Sequence, residues 1–260
     1  MWILAAYLAY IFLPIVLLVV GSFGENWTNT LLPHGVSGRW YVELWGEPSF
    51  RRAFVSSLQI ALGTCLVVTL TTVPLAYALS RGFGRWARLG ARFIAVMPIS
   101  APAVVLGFGF ILVFSSDQLP LLGSFWLLLA AHVVVTLPYM FQTLVADIRH
   151  LELEKLELAA QSLGAGFWRR MVDIVLPSLR HSILSGLVIV AAISIGEFAL
   201  SNLVAGLLNR TYPIVLLQAF YGATGLACAA TVVLLFLAAL AAGAGVLTAR
   251  ATAHSTGGKK

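Results

Sequence analysis

Six long apolar runs constrain the fold of this 260-residue chain more than any other feature. A helix needs about 20 mainly apolar residues to cross a bilayer, and in lipid its backbone must satisfy its own hydrogen bonds. Runs of that length fall at residues 2–23, 53–79, 93–115, 122–146, 183–206 and 226–248. Because 60% of the residues are hydrophobic and 10% are charged, a soluble domain is excluded. The fold class predicted is an all-α integral membrane protein with six transmembrane helices. Residues 1–248 would form one transmembrane domain, followed by a cytosolic tail at 249–260.

The third run is interrupted by the sequence "MPISAP", which places Pro98 and Pro102 inside it. Proline removes a backbone donor and clashes with the preceding turn, so a break or kink is predicted there. Irregular backbone at membrane depth needs protein or a water-filled cavity around it. Ser100, between the two prolines, is therefore a candidate to face a solute cavity, and the alternative is a plain kink.

The distribution of lysine and arginine predicts the orientation, because basic residues collect on the cytosolic side. With the N-terminus in the cytosol, twelve of the 16 basic residues lie on that side. They are Arg81, Arg85, Arg88, Arg92, Arg149, Lys155, Arg169, Arg170, Arg180, Arg250, Lys259 and Lys260. The outer side keeps Arg39, Arg51, Arg52 and Arg210. Both termini are then cytosolic, and the net charge of +6 favours anionic lipid headgroups as partners, with no nucleic acid involved.

One polar stretch, residues 152–177, separates the fourth and fifth runs. Apolar residues recur there at steps of three and four, which predicts an amphipathic helix with one apolar stripe. The stripe consists of Leu153, Leu156, Ala160 and Leu163. The polar remainder consists of Glu152, Glu154, Glu157 and Gln161. Gly164 follows the last periodic residue, at the position where helices often end in glycine.

A second short helix is predicted from Phe167 to Val175, and Pro177 is expected to end it before the fifth membrane helix. Isolated helices of fewer than about 12–15 residues are marginal in water, so both short helices need a surface to pack against. That surface is either the bilayer, with the stretch acting as a connector, or a cytosolic partner protein that docks on it.

The same stretch resembles the EAA loop of permease subunits from binding-protein-dependent ABC importers. The residues that match the family motif in place are Ala159, Ala160, Gly164, Leu176 and Pro177. Leu158 occupies the glutamate position of the motif, and Glu157 stands one residue earlier, about 100° around a helix. In this family the loop docks on an ATPase subunit. The resemblance therefore implies ATPase-coupling roles for Glu157, Ala159, Ala160, Gly164, Ala165, Phe167 and Pro177.

The resemblance extends over about residues 50–248 and includes "MPISAPAVVLG" and "SIGEFALSNLVAG". It implies a bacterial inner-membrane protein with three kinds of partner: ATP-binding subunits, a second permease subunit and an extracytoplasmic solute-binding protein. ATP and Mg would be bound by the ATPase partner and no cofactor by this chain, which agrees with the absence of a G-x-x-x-x-G-K-[ST] loop from its sequence. Within the family the chain is most similar to the polyamine, phosphonate and iron group. It leans towards 2-aminoethylphosphonate permeases, with spermidine/putrescine and ferric-iron permeases as alternatives.

Glu197 is an acidic residue inside a predicted span, where a charge costs at least about 2.5–3.5 kcal/mol on insertion scales. It is expected to face protein or water, and with Ser194, Ser201 and Asn202 it either lines the solute path or makes structural contacts between helices. His132, in the fourth run, has the same two interpretations.

No metal-ligand spacing or nucleophile–base pattern occurs in the sequence, so an enzyme is not indicated. A secondary transporter is the rival class, but it should carry ionisable groups on several helices.

Overall fold

A computed structural model describes residues 2–27, 30, 32–81 and 84–257 of the chain. Its helices are α1 (Trp2–Phe23), α2 (Arg39–Gly46), α3 (Pro48–Ser80), α4 (Arg85–Ser100), α5 (Ala103–Phe114), α6 (Phe125–His150), α7 (Leu153–Ser162), α8 (Phe167–Arg170), α9 (Leu176–Gly196), α10 (Ala199–Val204), α11 (Tyr212–Phe220) and α12 (Thr224–Gly257). A short antiparallel hairpin of β1 (Gly24–Asn26) and β2 (His34–Val36) follows α1. Lys259 and Lys260, counted above for the orientation, lie outside the described residues.

Four helices in the described part of the chain are long and apolar enough to cross a membrane. They are α1, α3, α6 and the continuous helix from Phe167 to Gly196. The third apolar run is a pair of helices, Leu89–Ser100 and Ala103–Phe114, bent by 103°, which would make a fifth span if it crosses as one. The sixth run lies within α12, which continues to Gly257 without a break at residue 248.

The break in the third run falls where the prolines predicted it. Pro98 is accommodated inside α4, and the chain leaves the helix at Ala101, which is extended with φ −94° and ψ 129°. A residue that precedes proline is pushed out of the helical region by the proline ring, and Pro102 follows Ala101 directly. Ser100 ends α4 and is exposed.

The core of the molecule forms where α3, α6 and α9 pack together. Val68 of α3, Phe141 and Leu144 of α6, and Val190 of α9 are all buried there. Gly186 lets α9 approach α6 closely, because a Cβ at that position would collide with the Met140 Sδ atom. In all three helices apolar side chains also remain on the outer surface, as expected of segments that face lipid.

The sequence-based prediction that Pro177 ends a separate short helix is wrong. The chain passes from α8 through a π-helical turn, Met171–Val175, directly into α9. The Leu176 N–H bonds the Met171 carbonyl, five residues back instead of four. Such a widened turn accommodates the ring and missing donor of Pro177 at the start of α9, so the helix continues.

Candidate functional site

The polar stretch at residues 152–177, named here the EAA-like segment, contains α7, α8, the π turn and the start of α9. Glu152 precedes α7 with a left-handed φ of 46°. Beyond α7, Gly164 has φ 82°, and its N–H bonds the Gln161 carbonyl at 2.9 Å. The Ala165 N–H bonds the Ala160 carbonyl at 3.0 Å. This is a Schellman end, and it confirms the predicted place of Gly164 after the helix.

The predicted apolar stripe of α7 is only partly correct. Leu153 is buried and Ala160 is half-buried, but Leu156 is exposed and Leu163 is 88% exposed. Glu157, expected on the polar face, is instead 1% exposed. Residues four apart share one helix face, so Leu153 and Glu157 together form the inward face of α7. A carboxylate tolerates that position only when charged and polar partners compensate for the lost water.

Glu157 has such partners on two other helices. The Tyr77 hydroxyl donates to Glu157 Oε1 at 2.9 Å, and Arg81 forms an ion pair with the same carboxylate. Arg170 Nε lies 3.9 Å from Oε1. Tyr77 and Arg81 lie at the C-terminal end of α3 and Arg170 lies in α8, so one carboxylate connects three elements. We name these four residues the Glu157 cluster.

Sequence reasoning missed three members of this cluster, since it used Arg81 and Arg170 only as markers of orientation and did not single out Tyr77. A signal was present in the spacing, because Glu157 is four residues beyond the buried Leu153 and so falls on the apolar face. A charged residue in that register indicates a buried ionic partner elsewhere in the chain.

The other residues assigned to coupling lie at the surface or close to it. Ala159, Gly164, Phe167 and Pro177 are exposed, and Ala165 is half-buried. Large apolar side chains on the same segment also face outwards, namely Leu156, Leu158, Leu163, Phe167 and Trp168. The EAA-like segment therefore presents apolar side chains outwards, while the carboxylate of Glu157 faces inwards.

A second polar cluster lies where the fifth apolar run breaks, between α9 and α10. Glu197 follows α9 in an extended conformation, so the run is not one continuous helix as predicted. Its carboxylate accepts the N–H of Leu200 at 2.9 Å, the N–H of Ser201 at 2.8 Å and the Ser201 hydroxyl at 2.7 Å. These are the free donors at the start of a helix, and Glu197 satisfies them as a cap for α10.

His132 joins this cluster from α6 and is 1% exposed. Its ring nitrogens Nδ1 and Nε2 lie 2.8 Å from the hydroxyls of Ser194 and Ser201, respectively. Because the Ser201 hydroxyl donates to Glu197, it accepts from Nε2–H, and Nδ1 then accepts from the Ser194 hydroxyl. We name these four residues the His132 cluster, a chain of hydrogen bonds that crosses α6, α9 and α10.

Four of the six residues predicted for the solute path therefore meet in one place. Asn202 and Ser100 do not join them, since both are exposed and neither belongs to the hydrogen-bonded chain. Asn202 instead lines a separate cavity. The contacts of the His132 cluster run between helices, as the structural interpretation of Glu197 and His132 requires, and a role in the solute path stays a prediction.

Two cavities lie at the end of the molecule opposite α7, and residues 206–210 contribute to the lining of both. One, of about 460 Å³, includes Arg51, Arg52, Gln59 and Asn209 in its lining. The other, of about 360 Å³, includes Asn202, Arg210 and Gln218. The described side chains that line these two cavities include arginines and amides but no carboxylate.

Comparison with known proteins identifies the chain's relatives. Residues 72–252 match the family described as "binding-protein-dependent transport system inner membrane component". A protein of Salmonella typhimurium named "Putative 2-aminoethylphosphonate transport system permease protein PhnV" is 27% identical over 198 residues, which cover 76% of this chain and 73% of that protein. The spermidine/putrescine transport system permease protein PotC of Haemophilus influenzae is 30% identical over 208 residues, which cover 79% and 78%.

Two solved structures share the fold at 18% sequence identity. A bacterial ABC transporter that imports the acidic polysaccharide alginate gives a TM-score of 0.71, with 100% of this chain and 96% of that chain covered. The alginate transporter in complex with an alginate pentasaccharide-bound periplasmic protein gives 0.72, with coverages of 95% and 92%. The family match and the apolar helices together define a membrane transport subunit. The chain belongs to the family of binding-protein-dependent transport system inner membrane components, as a permease subunit of an ABC importer.

Proposed function

We propose that this permease forms part of an ATP-driven importer for a small phosphonate-bearing solute, such as 2-aminoethylphosphonate. We choose a phosphonate because arginine and amide side chains line the two cavities opposite α7. Arginine guanidinium groups pair with phosphate-like oxygens through two parallel charge-assisted hydrogen bonds. The Salmonella typhimurium relative is named for 2-aminoethylphosphonate transport, which agrees with this chemistry.

The competing solute class is a polyamine such as spermidine, which the 30% identical relative is named for. A polyamine carries several positive charges and requires free carboxylates along its path. Glu197 is unsuited to that task, because both of its oxygens already accept hydrogen bonds from Leu200 and Ser201. The arginines of the cavities would also repel a cation.

In the proposed arrangement the EAA-like segment lies in the cytosol, both termini are cytosolic, and six spans cross the inner membrane. The bent α4–α5 pair is then the third span and α12 the sixth. The exposed apolar residues of the EAA-like segment support docking on an ATP-binding subunit, which would hold ATP and Mg. A second permease subunit would complete the pathway, and a solute-binding protein would deliver the solute at the opposite end.

Competition between solutes tests the phosphonate assignment. Uptake of radiolabelled 2-aminoethylphosphonate is measured in cells that express the complete transporter with its solute-binding protein. We expect excess unlabelled 2-aminoethylphosphonate to compete and spermidine not to compete. Replacing Arg51→Gln together with Arg52→Gln should raise the solute concentration needed for half-maximal uptake, whereas Arg39→Gln, at the same end but outside both cavities, should not. Uptake of labelled spermidine with no uptake of the phosphonate would refute the assignment.

A further inference from the structure

Glu157 faces the membrane helices, away from the surface on which an ATP-binding subunit would dock. Its side chain is 1% exposed, so it has no free area to offer a partner protein. Leu158, at the glutamate position of the family motif, is 55% exposed and carries no charge. Glu157 therefore acts within the chain and not across the docking surface.

Few side chains attach α7 to the rest of the protein. Among the residues of α7, Leu153 and Glu157 are the two that are buried. The helix begins after Glu152 and ends before Gly164, and both of these residues have left-handed φ values of 46° and 82°. With sharp turns at both ends, α7 is a short helix whose fully buried side chains are one leucine and one carboxylate.

The two arginines that pair with the Glu157 carboxylate lie at the ends of two long helices. Arg81 follows the last residue of α3, where its guanidinium also lies 5.3 Å from the centre of the Tyr77 ring. Arg170 ends α8, which continues through the π turn into α9. Arg170 is 12% exposed and Arg81 is 25% exposed, so neither guanidinium is fully hydrated. If α7 moved away without them, both would lose their carboxylate partner in a partly desolvated site.

We propose that Glu157 is a positioning residue that makes the ends of α3 and α9 follow α7 when the ATP-binding subunits move it. This inference rests on the proposed function, because it assumes that an ATPase drives α7. The ionic contacts of one carboxylate thereby convert a displacement of α7 into a joint displacement of two core helices. The exposed apolar side chains Leu156 and Leu158 of α7 make the contact with the ATPase, and Glu157 passes the movement on.

The test compares Glu157→Gln with Glu154→Gln in the complete transporter, reconstituted in proteoliposomes. Glutamine keeps the size of the side chain and an acceptor for Tyr77 but removes the charge, and Glu154 is exposed on the same helix. Uptake and ATP hydrolysis are measured in the same preparation. We expect solute transported per ATP hydrolysed to fall at least about fivefold in Glu157→Gln, the lower range of allosteric coupling effects, and not to change in Glu154→Gln.

Glu157→Asp, which keeps the negative charge beside Arg81 and Arg170, should retain more of the ratio than Glu157→Gln does. An unchanged ratio in Glu157→Gln, or a parallel loss of uptake and hydrolysis, would overturn the proposal. If Glu157→Gln does not accumulate in the membrane, Tyr77→Phe replaces it; this change keeps the ring and removes one hydrogen bond to Glu157. A smaller fall in the same ratio supports the proposal, and no fall contradicts it. Absence of ATP-dependent uptake by the unaltered transporter would instead refute the proposed function.

Discussion

The two carboxylates Glu197 and Glu157 are both withdrawn from water, but the protein satisfies them differently. Glu197 accepts hydrogen bonds from residues three and four positions further along the chain, so its contacts shape a single break between α9 and α10. Glu157 is bonded to Tyr77, 80 residues away, and to arginines in two other elements. The first arrangement fixes local backbone geometry, whereas the second joins separate helices. Glu157 therefore bonds other helices directly, whereas Glu197 reaches α6 only through Ser201 and His132.

The largest loss of stability should follow removal of the long-range carboxylate. Glu157→Leu leaves Arg81 and Arg170 without their partner, and breaking a buried ion pair from one side costs about 3–5 kcal/mol. Because Arg81 is partly exposed, we expect the effect at the lower end, about 3 kcal/mol. Thermal unfolding of the purified protein in detergent measures it. Glu154→Leu on the exposed face of α7 is the control and should change the unfolding temperature little.

In the His132 cluster, His132 makes the contacts between distant parts of the chain, as Glu157 does in its own cluster, but through hydrogen bonds without ion pairs. His132→Phe removes hydrogen bonds to Ser194 and Ser201 while it keeps a ring of similar size. Buried polar groups that lose their partner cost about 1–3 kcal/mol, so a loss near 2 kcal/mol is expected. Thermal unfolding again reports it. A loss as large as that of Glu157→Leu would mean that the ion pairs of the Glu157 cluster stabilise the protein no more than the uncharged hydrogen bonds of His132 do.

Glu197→Gln tests the local arrangement alone. The amide oxygen can replace one carboxylate oxygen, but the amide nitrogen cannot accept from the N–H groups at the start of α10. Loss of a helix cap costs about 0.5–2 kcal/mol, and we expect about 1 kcal/mol. Hydrogen exchange should speed up at the amides of Leu200 and Ser201 and stay unchanged in α7. Faster exchange throughout α9 would show that Glu197 does more than cap one short helix.

An effect similar to that of Glu197→Gln is expected at the turn that ends α7, where no side-chain contact is lost. Gly164→Ala meets no atom within 4 Å, so its cost is conformational only, at about 1–2 kcal/mol for an L residue with left-handed φ. Gly166→Ala is the matched control, because Gly166 has equally open space and a φ of −67°. Thermal unfolding should separate the two variants. Equal stability of both would show that the turn relaxes without strain.

Features that depend on local chemistry could be predicted from the sequence. The break before Pro102 and the left-handed turn at Gly164 follow from the backbone preferences of two residue types. The apolar runs predicted where the long helices lie. Four of the described helices are long and apolar enough to cross a membrane, and the bent α4–α5 pair makes a fifth if it crosses as one span.

Features that depend on distant partners could not be predicted in the same way. The inward position of Glu157 is stable only because Arg81 and Arg170 come to the same place, which no local pattern specifies. The π turn before Pro177 likewise replaces a helix end with a wider turn. Sequence reasoning placed Glu197 and His132 in the membrane and proposed Ser194 and Ser201 as neighbours of Glu197. It could not predict that these four residues form hydrogen bonds with one another.

ATP dependence is the most direct test of the account. The tagged full chain is purified from membranes in mild detergent, its companions are identified by mass spectrometry, and the same preparation is assayed for uptake after reconstitution. We predict that an ATP-binding subunit and a second permease subunit co-purify, and that uptake stops when ATP is replaced by a non-hydrolysable analogue. A chain that purifies alone and still transports solute without ATP would contradict the account and establish a secondary transporter.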